Sequence, residues 1–182
     1  MSGVQRSPEG VEQGKEEISA AIADPGASLV LQVGDEHTTL SLRGGESAAP
    51  LVINLGWRSV AARNFKQQND SLTAVALEAA IMTVEDALAP ARSRIAPAST
   101  LITHDSAVRE IATVAGVSGN GELTLSRDAV EQMFQRLAAT AMGRPASAGG
   151  LPPGAQLAGT LLILREFMHH MDFAEIRIDP AA

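Results

Sequence analysis

The sequence predicts a single α/β domain whose mixed sheet opens with an antiparallel three-strand meander and is flanked by helices. Three observations predict it. First, Leu29, Val30, Leu31 and Val33 form a short apolar run that ends at Gly34-Asp35, and residues 38–42 then alternate polar and apolar. That is the signature of a strand buried on both faces, a tight turn and a half-buried strand. Second, residues 51–55 form another apolar run, interrupted only by Asn54. Third, the pattern then changes to helical spacing, returns to a short strand at 100–103 and goes back to helix. Strands followed by alternating helix and strand place the chain in the α/β class.

The elements follow in order. Residues 1–10 are small and polar and read as a disordered N-terminus, with the domain occupying 11–182. Residues 11–23 read as a helix with Val11, Ile18 and Ile22 inward, stopped by Asp24-Pro25-Gly26. The hairpin is closed by Gly44-Gly45, and Gly56 breaks the third strand before Trp57-Arg58-Ser59-Val60. Asn69-Asp70-Ser71 offers a helix N-cap. Leu72, Val75, Ala76, Ala79, Ala80 and Val84 then mark an inward helical face as far as Leu88, with Pro90 as the stop. His104-Asp105-Ser106 lies at the end of the 100–103 strand and opens a helix over 107–115. Residues 116–121 form a loop, and Ser126 caps a helix to about Met142, with Asp128 well placed in its first turn. Residues 143–154 are rich in Gly, Pro, Ala and Ser and read as a loop. Residues 155–171 are apolar almost all round, the mark of a core helix, and 175–178 are a last strand.

Composition removes several classes of function. The chain has 182 residues, 45% of them apolar and 19% charged, as a soluble globule has. Cysteine is absent, which excludes disulfides, zinc–thiolate sites and thiol nucleophiles and suits a cytoplasmic location. The net charge of -7 opposes binding of nucleic acid, and one Trp, four Phe and no Tyr leave little for base stacking. No apolar run reaches membrane-spanning length.

Four stretches resemble the second lobe of the Ppx/GppA family of exopolyphosphatases and guanosine-pentaphosphate phosphatases. Leu29-Val30-Leu31-Gln32-Val33-Gly34-Asp35-Glu36-His37-Thr38-Thr39 sits where the family has a motif like LVxDIGGGSTE. Asn54-Leu55-Gly56-Trp57-Arg58-Ser59-Val60 resembles its LPLGAVRL segment. Ile102-Thr103-His104-Asp105-Ser106-Ala107 sits at its GGT-type loop before a helix. The stretch from Gly150-Leu151-Pro152-Pro153-Gly154-Ala155 to Phe173-Ala174-Glu175-Ile176-Arg177-Ile178 is similar to the segment between its GLxxxRAD-type loop and its ELRVSD-type strand. The resemblance covers residues 9 onward and implies one lobe of the RNase H-like, actin-like ATPase fold. It leaves the family's first lobe, with its own phosphate loop and catalytic carboxylate, outside the chain.

The departures from the family pattern carry the functional expectation. Gln32 stands where the resemblance implies a metal-holding Asp, and a neutral amide is a poor Mg²⁺ ligand. Asp35 and Glu36 replace loop glycines and repel phosphate, His37 replaces Ser, and Thr39 replaces Glu. His104-Asp105 stands in place of Gly-Gly in the second loop. Phosphoryl transfer rests on positioning and electrostatic stabilisation, so these changes remove most of what it needs.

The candidate phosphate- or ligand-binding residues are therefore Gly34, Asp35, Glu36, His37, Thr38, Arg58, His104, Asp105 and Ser106. The plainer reading of Asp35-Glu36-His37 is a solvated turn. The sharper one rests on the resemblance, which implies that the hairpin tip and the loop after the fourth strand face one cleft. Asp35, Glu36 and His37 then approach His104 and Asp105, and Asp35, His37, His104 and Asp105 offer a transition-metal set. His104-Asp105-Ser106 is no catalytic triad, because adjacent residues cannot fold back on one another; capping by Asp105 or Ser106 is the plainer role. The helix N-terminus there retains N–H groups suited to an anion. Arg58 reads equally as a phosphate contact or a surface ion pair. His169 and His170 lie about 100° apart on their helix and do not chelate together. The expectation is a stand-alone, degenerate phosphatase-like lobe that binds a ligand or partner, as a homodimer or with a separately encoded first lobe. A phosphate-containing small molecule is a candidate ligand. The alternatives are a phosphoanhydride hydrolase using Mg²⁺ or Mn²⁺, active as an oligomer, and a purely structural or regulatory module.

Overall fold

The structure is a computed structural model that describes residues 27–44, 49–64, 72–95, 100–145 and 154–180. The helix expected over 11–23 and the N-terminus expected to be disordered lie outside the described residues. Six strands form one mixed sheet: β1 Ser28–Val33, β2 Thr38–Leu42, β3 Leu51–Ile53, β4 Thr100–Thr103, β5 Leu123–Ser126 and β6 Glu175–Ile178. Their order in space is β3-β2-β1-β4-β6-β5. The expected meander is present, with β1–β2 and β2–β3 antiparallel. The chain then crosses over, so that β4 lies parallel to β1 and β6 parallel to β4, while β5 closes the edge antiparallel to β6.

Among the described residues five helices pack with the sheet: α1 Trp57–Asn64, α2 Ala74–Arg92, α3 Ser106–Val114, α4 Arg127–Ala141 and α5 Ala155–His170. Helix α5 is the centre of the packing, in contact with each of the other four. Its all-round apolar sequence is buried from Leu157 to Leu164 and again at Phe167 and Met168. One core joins these side chains to Leu29, Leu31, Leu40, Leu101, Leu125, Ile176 and Ile178 from the strands. No helix among the described residues is long and apolar enough to cross a membrane.

Several expectations are corrected. β1 is not buried on both faces: Leu29, Leu31 and Val33 point into the core while Gln32 is exposed. The single-sided burial of an antiparallel hairpin governs the strand more than its apolar sequence does. β3 ends at Ile53, two residues early, because Leu55 turns into the core ahead of α1. The N-cap of α2 is Thr73, whose side chain accepts from the Ala76 N–H; the Asn69-Asp70-Ser71 expected in that role lies outside the described residues. The inward face of α2 is Leu77, Ala80, Val84, Leu88 and Ala91, and Val75 is 76% exposed. Pro90 lies inside the helix rather than ending it. It falls in the last turn at an exposed position, where the missing N–H costs a single bond near the helix end.

Candidate functional site

The tip of the β1–β2 hairpin, the start of α1 and the start of α3 meet at one end of the sheet. α1 carries no Ser, Thr, Asp or Asn at its N-cap; that place is held by Gly56. Its first N–H groups are satisfied from far away in sequence. The Trp57 N–H donates to the Gly34 carbonyl and the Arg58 N–H to the Asp35 carbonyl, both at 3.0 Å. Ser59 reaches back to accept from the Gly56 N–H at 2.9 Å, as the third residue of a helix does in a capping box. Gly56 is required for this docking: a Cβ there would lie 2.3 Å from the Asp35 carbonyl carbon and oxygen. On its other side the start of α1 rests on α5, where a Cβ on Gly159 would lie 2.7 Å from the Trp57 carbonyl oxygen.

Asp105 joins the second helix to the same end. Its Oδ1 accepts from the Ala107 N–H at 2.8 Å, the N-cap bond of α3. Its Oδ2 accepts from the Val33 N–H at 3.2 Å. The parallel register pairs Val30 with Ile102, so position 105 stands level with Val33, and there a side chain replaces the missing strand. Thr103 holds the bend by accepting from the Asp105 N–H at 3.0 Å.

The other sequence candidates divide between structural roles and exposure. Gly34 donates to the His37 carbonyl at 2.9 Å and closes the turn. Thr38 is fully buried and its hydroxyl donates to the Leu55 carbonyl at 2.7 Å, tying the hairpin to the segment before α1. Arg58 pairs with the Asp35 carboxylate and lies over the Trp57 ring at 5.2 Å. Both charged side chains are more than half exposed, so the pair contributes little to stability. The side chains of Glu36, His37, His104 and Ser106 are exposed. Among the described residues, Asp35, His37, His104 and Asp105 form no cluster of converging ligand atoms; such a cluster is formed by Glu85, Glu166 and His170.

That second cluster belongs to a charged network around α5 that sequence reasoning missed. Arg165 donates to Glu131 of α4 at 2.8 Å, pairs with Glu166, and lies 4.1 Å from the Phe134 ring centroid. The i, i+4 spacing of Glu166 and His170 was a readable signal, but a carboxylate in an otherwise apolar helix gave no hint of its partners on α2 and α4. Burial pushes the Glu131 carboxyl up, yet hydrogen bonds from Arg165 and Gln135 and the Arg165 charge outweigh it and hold it below its ordinary value. A carboxyl lowered in the folded state stabilises above its unfolded pKa and loses that contribution as pH falls through the folded one. Glu131→Gln is therefore expected to flatten the acid side of the stability profile between about pH 6 and pH 3. Urea midpoints across that range check it, and an unchanged slope refutes it.

No protein-family model matches the sequence, and no curated protein matches it. Solved structures do match by fold. A PPX-GPPA enzyme of Aquifex aeolicus aligns over 92% of this chain and 60% of its own, with a TM-score of 0.63 at 12% identity. The type II variant of the Aquifex aeolicus Ppx/GppA phosphatase aligns over 90% and 56%, with a TM-score of 0.65 at 11% identity. An exopolyphosphatase from Cytophaga hutchinsonii aligns over 94% and 60%, with a TM-score of 0.52 at 14% identity. The chain thus spans about three-fifths of the length of these structures. What is shared at such identities is the fold, and this chain has the α/β, actin-like fold with a mixed six-stranded sheet that the Ppx/GppA phosphatases also have.

Proposed function

We propose that this chain is a phosphatase-like lobe, corresponding to the second lobe of the Ppx/GppA proteins, that has given up phosphoanhydride hydrolysis and acts by binding a protein partner. One observation supports the reading most. Four backbone donors near the hairpin end of the sheet are occupied by the chain's own acceptors rather than left for an anion. The Asp105 carboxylate takes the Val33 and Ala107 N–H groups, and the Gly34 and Asp35 carbonyls take those of Trp57 and Arg58. Asp105 thereby holds the place of a ligand's negative charge and would repel a second anion.

Nor do the residues here fit a Mg²⁺ or Mn²⁺ ion. Asp105 is engaged by two N–H groups, Asp35 by Arg58, and Gln32 is a neutral amide. The partner is a second copy of the chain or a separately encoded first lobe.

The deciding experiment is a thermal-shift panel with phosphate, polyphosphate, ATP, ppGpp and pppGpp, each with and without Mg²⁺ or Mn²⁺, together with phosphate-release assays and light scattering. The expected result is no shift, no release, and a mass above the monomer at micromolar concentration or on mixing with the partner lobe. A ligand at one hundred times its Kd would stabilise by about 2.7 kcal/mol. Such a shift, or turnover, would overturn the loss of phosphate chemistry, and a strictly monomeric mass with both partners would overturn the binding role.

A further inference from the structure

We propose that Glu85, Glu166 and His170 form a divalent-cation site of zinc type between α2 and α5, at a place separate from the hairpin end of the sheet. Each residue offers one ligand atom, and the three atoms lie within 4.8 Å of one another. His170 Nε2 is 3.5 Å from Glu166 Oε2 and 3.6 Å from Glu85 Oε1. Two ligands bonded to Zn²⁺ at about 2.0–2.1 Å with tetrahedral angles stand about 3.3–3.4 Å apart, so both distances from His170 are within a few tenths of an ångström of a bound geometry, and the two carboxylates close from no more than 4.8 Å. Glu166 and His170 share one face of α5 at i, i+4 spacing, and Glu85 reaches them from α2. Two carboxylates and an imidazole suit Zn²⁺ or Mn²⁺ better than Mg²⁺ or Ca²⁺, which prefer all-oxygen sets.

Burial and charge point the same way. Glu166 is only 2% exposed, and a carboxylate there needs compensation from its neighbours. Arg165 binds its Oε1 and leaves Oε2 turned toward His170. Arg165 also holds Glu131, so it serves as the outer group that fixes a metal-binding carboxylate. Glu85, Glu131 and Glu166 bring three carboxylates together around the single guanidinium of Arg165, an excess of acceptors that a divalent ion would balance. The partly exposed Glu85 and His170 give an ion its way in, and they leave a fourth coordination position toward solvent.

The competing account is a protonated His170 bridging two carboxylates with no metal at all. Calorimetric titration of the metal-free full chain with Zn²⁺ alone, at neutral pH, separates the two. The expected result is one equivalent bound, with His170→Gln and Glu85→Gln each weakening it by more than about 100-fold, beyond what loss of an outer-shell group does. His37→Gln and His104→Gln, remote from the cluster, are expected to leave the affinity unchanged. Both test positions are partly exposed, and far-ultraviolet circular dichroism verifies that the variants remain folded. Silence with Zn²⁺ at high micromolar concentration overturns the proposal. So does binding that survives both His170→Gln and Glu85→Gln, which would place the ion elsewhere.

Discussion

Phe167→Ala lowers the free energy of unfolding by about 3–5 kcal/mol, the range for deleting a buried aromatic side chain. Phe167 is fully buried at the middle of the core and is among its largest side chains. Its ring stacks on Phe173 with centroids 6.0 Å apart and planes 7° from parallel, which adds to the area it removes from water. It belongs to α5, the helix on which the other four converge, so the cavity cannot be filled by one neighbour shifting alone. A domain of this size has about 5–15 kcal/mol in all. With a urea slope of about 1–3 kcal/mol per molar, the midpoint falls by about 2 M. The matched control is Val75→Ala, on a side chain that is 76% exposed, expected within about 0.5 kcal/mol of the parent. A Phe167→Ala loss no larger than that of the control would remove α5 from the centre of the fold.

The same two positions show what could be read from the sequence. α5 was legible because a helix apolar on every side has only one place to go, the interior. The hairpin was legible because Gly34-Asp35 separates two runs of strand character, and β6 because Ile176 and Ile178 alternate with Glu175 and Arg177. Val75 was misplaced because a helix rich in alanine offers two plausible faces, and contact with α5 chooses between them. α1 was missed because its capping acceptors, the Gly34 and Asp35 carbonyls, lie more than twenty residues away in the chain. β5 was missed because four residues after a glycine-containing loop, the last of them the helix cap Ser126, become a strand only by pairing with β6, about fifty residues later.

At the site, local chemistry was readable and long-range chemistry was not. Asp105 as the cap of α3 follows from its position before a helix, whereas its bond to Val33 requires the parallel register of β1 and β4. Asp35 reads as a hindrance to phosphate, and the structure adds that it holds Arg58 as well. Where the resemblance leads one to expect glycines in the two loops, Asp35 and Asp105 stand, and their carboxylates make internal bonds.

Asp105→Ala tests that last point and is expected to cost about 2–4 kcal/mol. The lost N-cap accounts for about 0.5–2 kcal/mol, and a shielded Val33 N–H left without an acceptor for about 1–3 kcal/mol. Asp105→Asn keeps an N-cap of nearly equal quality but has only one amide oxygen for two donors, so it should fall between the parent and the alanine variant. Removing the carboxylate also uncovers the N-terminus of α3 and the N–H at the end of β1, and it removes the charge that repels an anion. Inorganic phosphate should then stabilise Asp105→Ala while leaving the parent unmoved, by about 1.4 kcal/mol at ten times its Kd. Sulfate should act alike and chloride should not, because the vacated place suits a tetrahedral oxyanion. If phosphate stabilises parent and variant equally, the carboxylate is not standing in for a ligand. If the variant is destabilised but indifferent to phosphate, Asp105 is a strut between β1 and α3 and nothing more. Stabilisation confined to the variant would mean that one side chain separates this lobe from an anion-binding one.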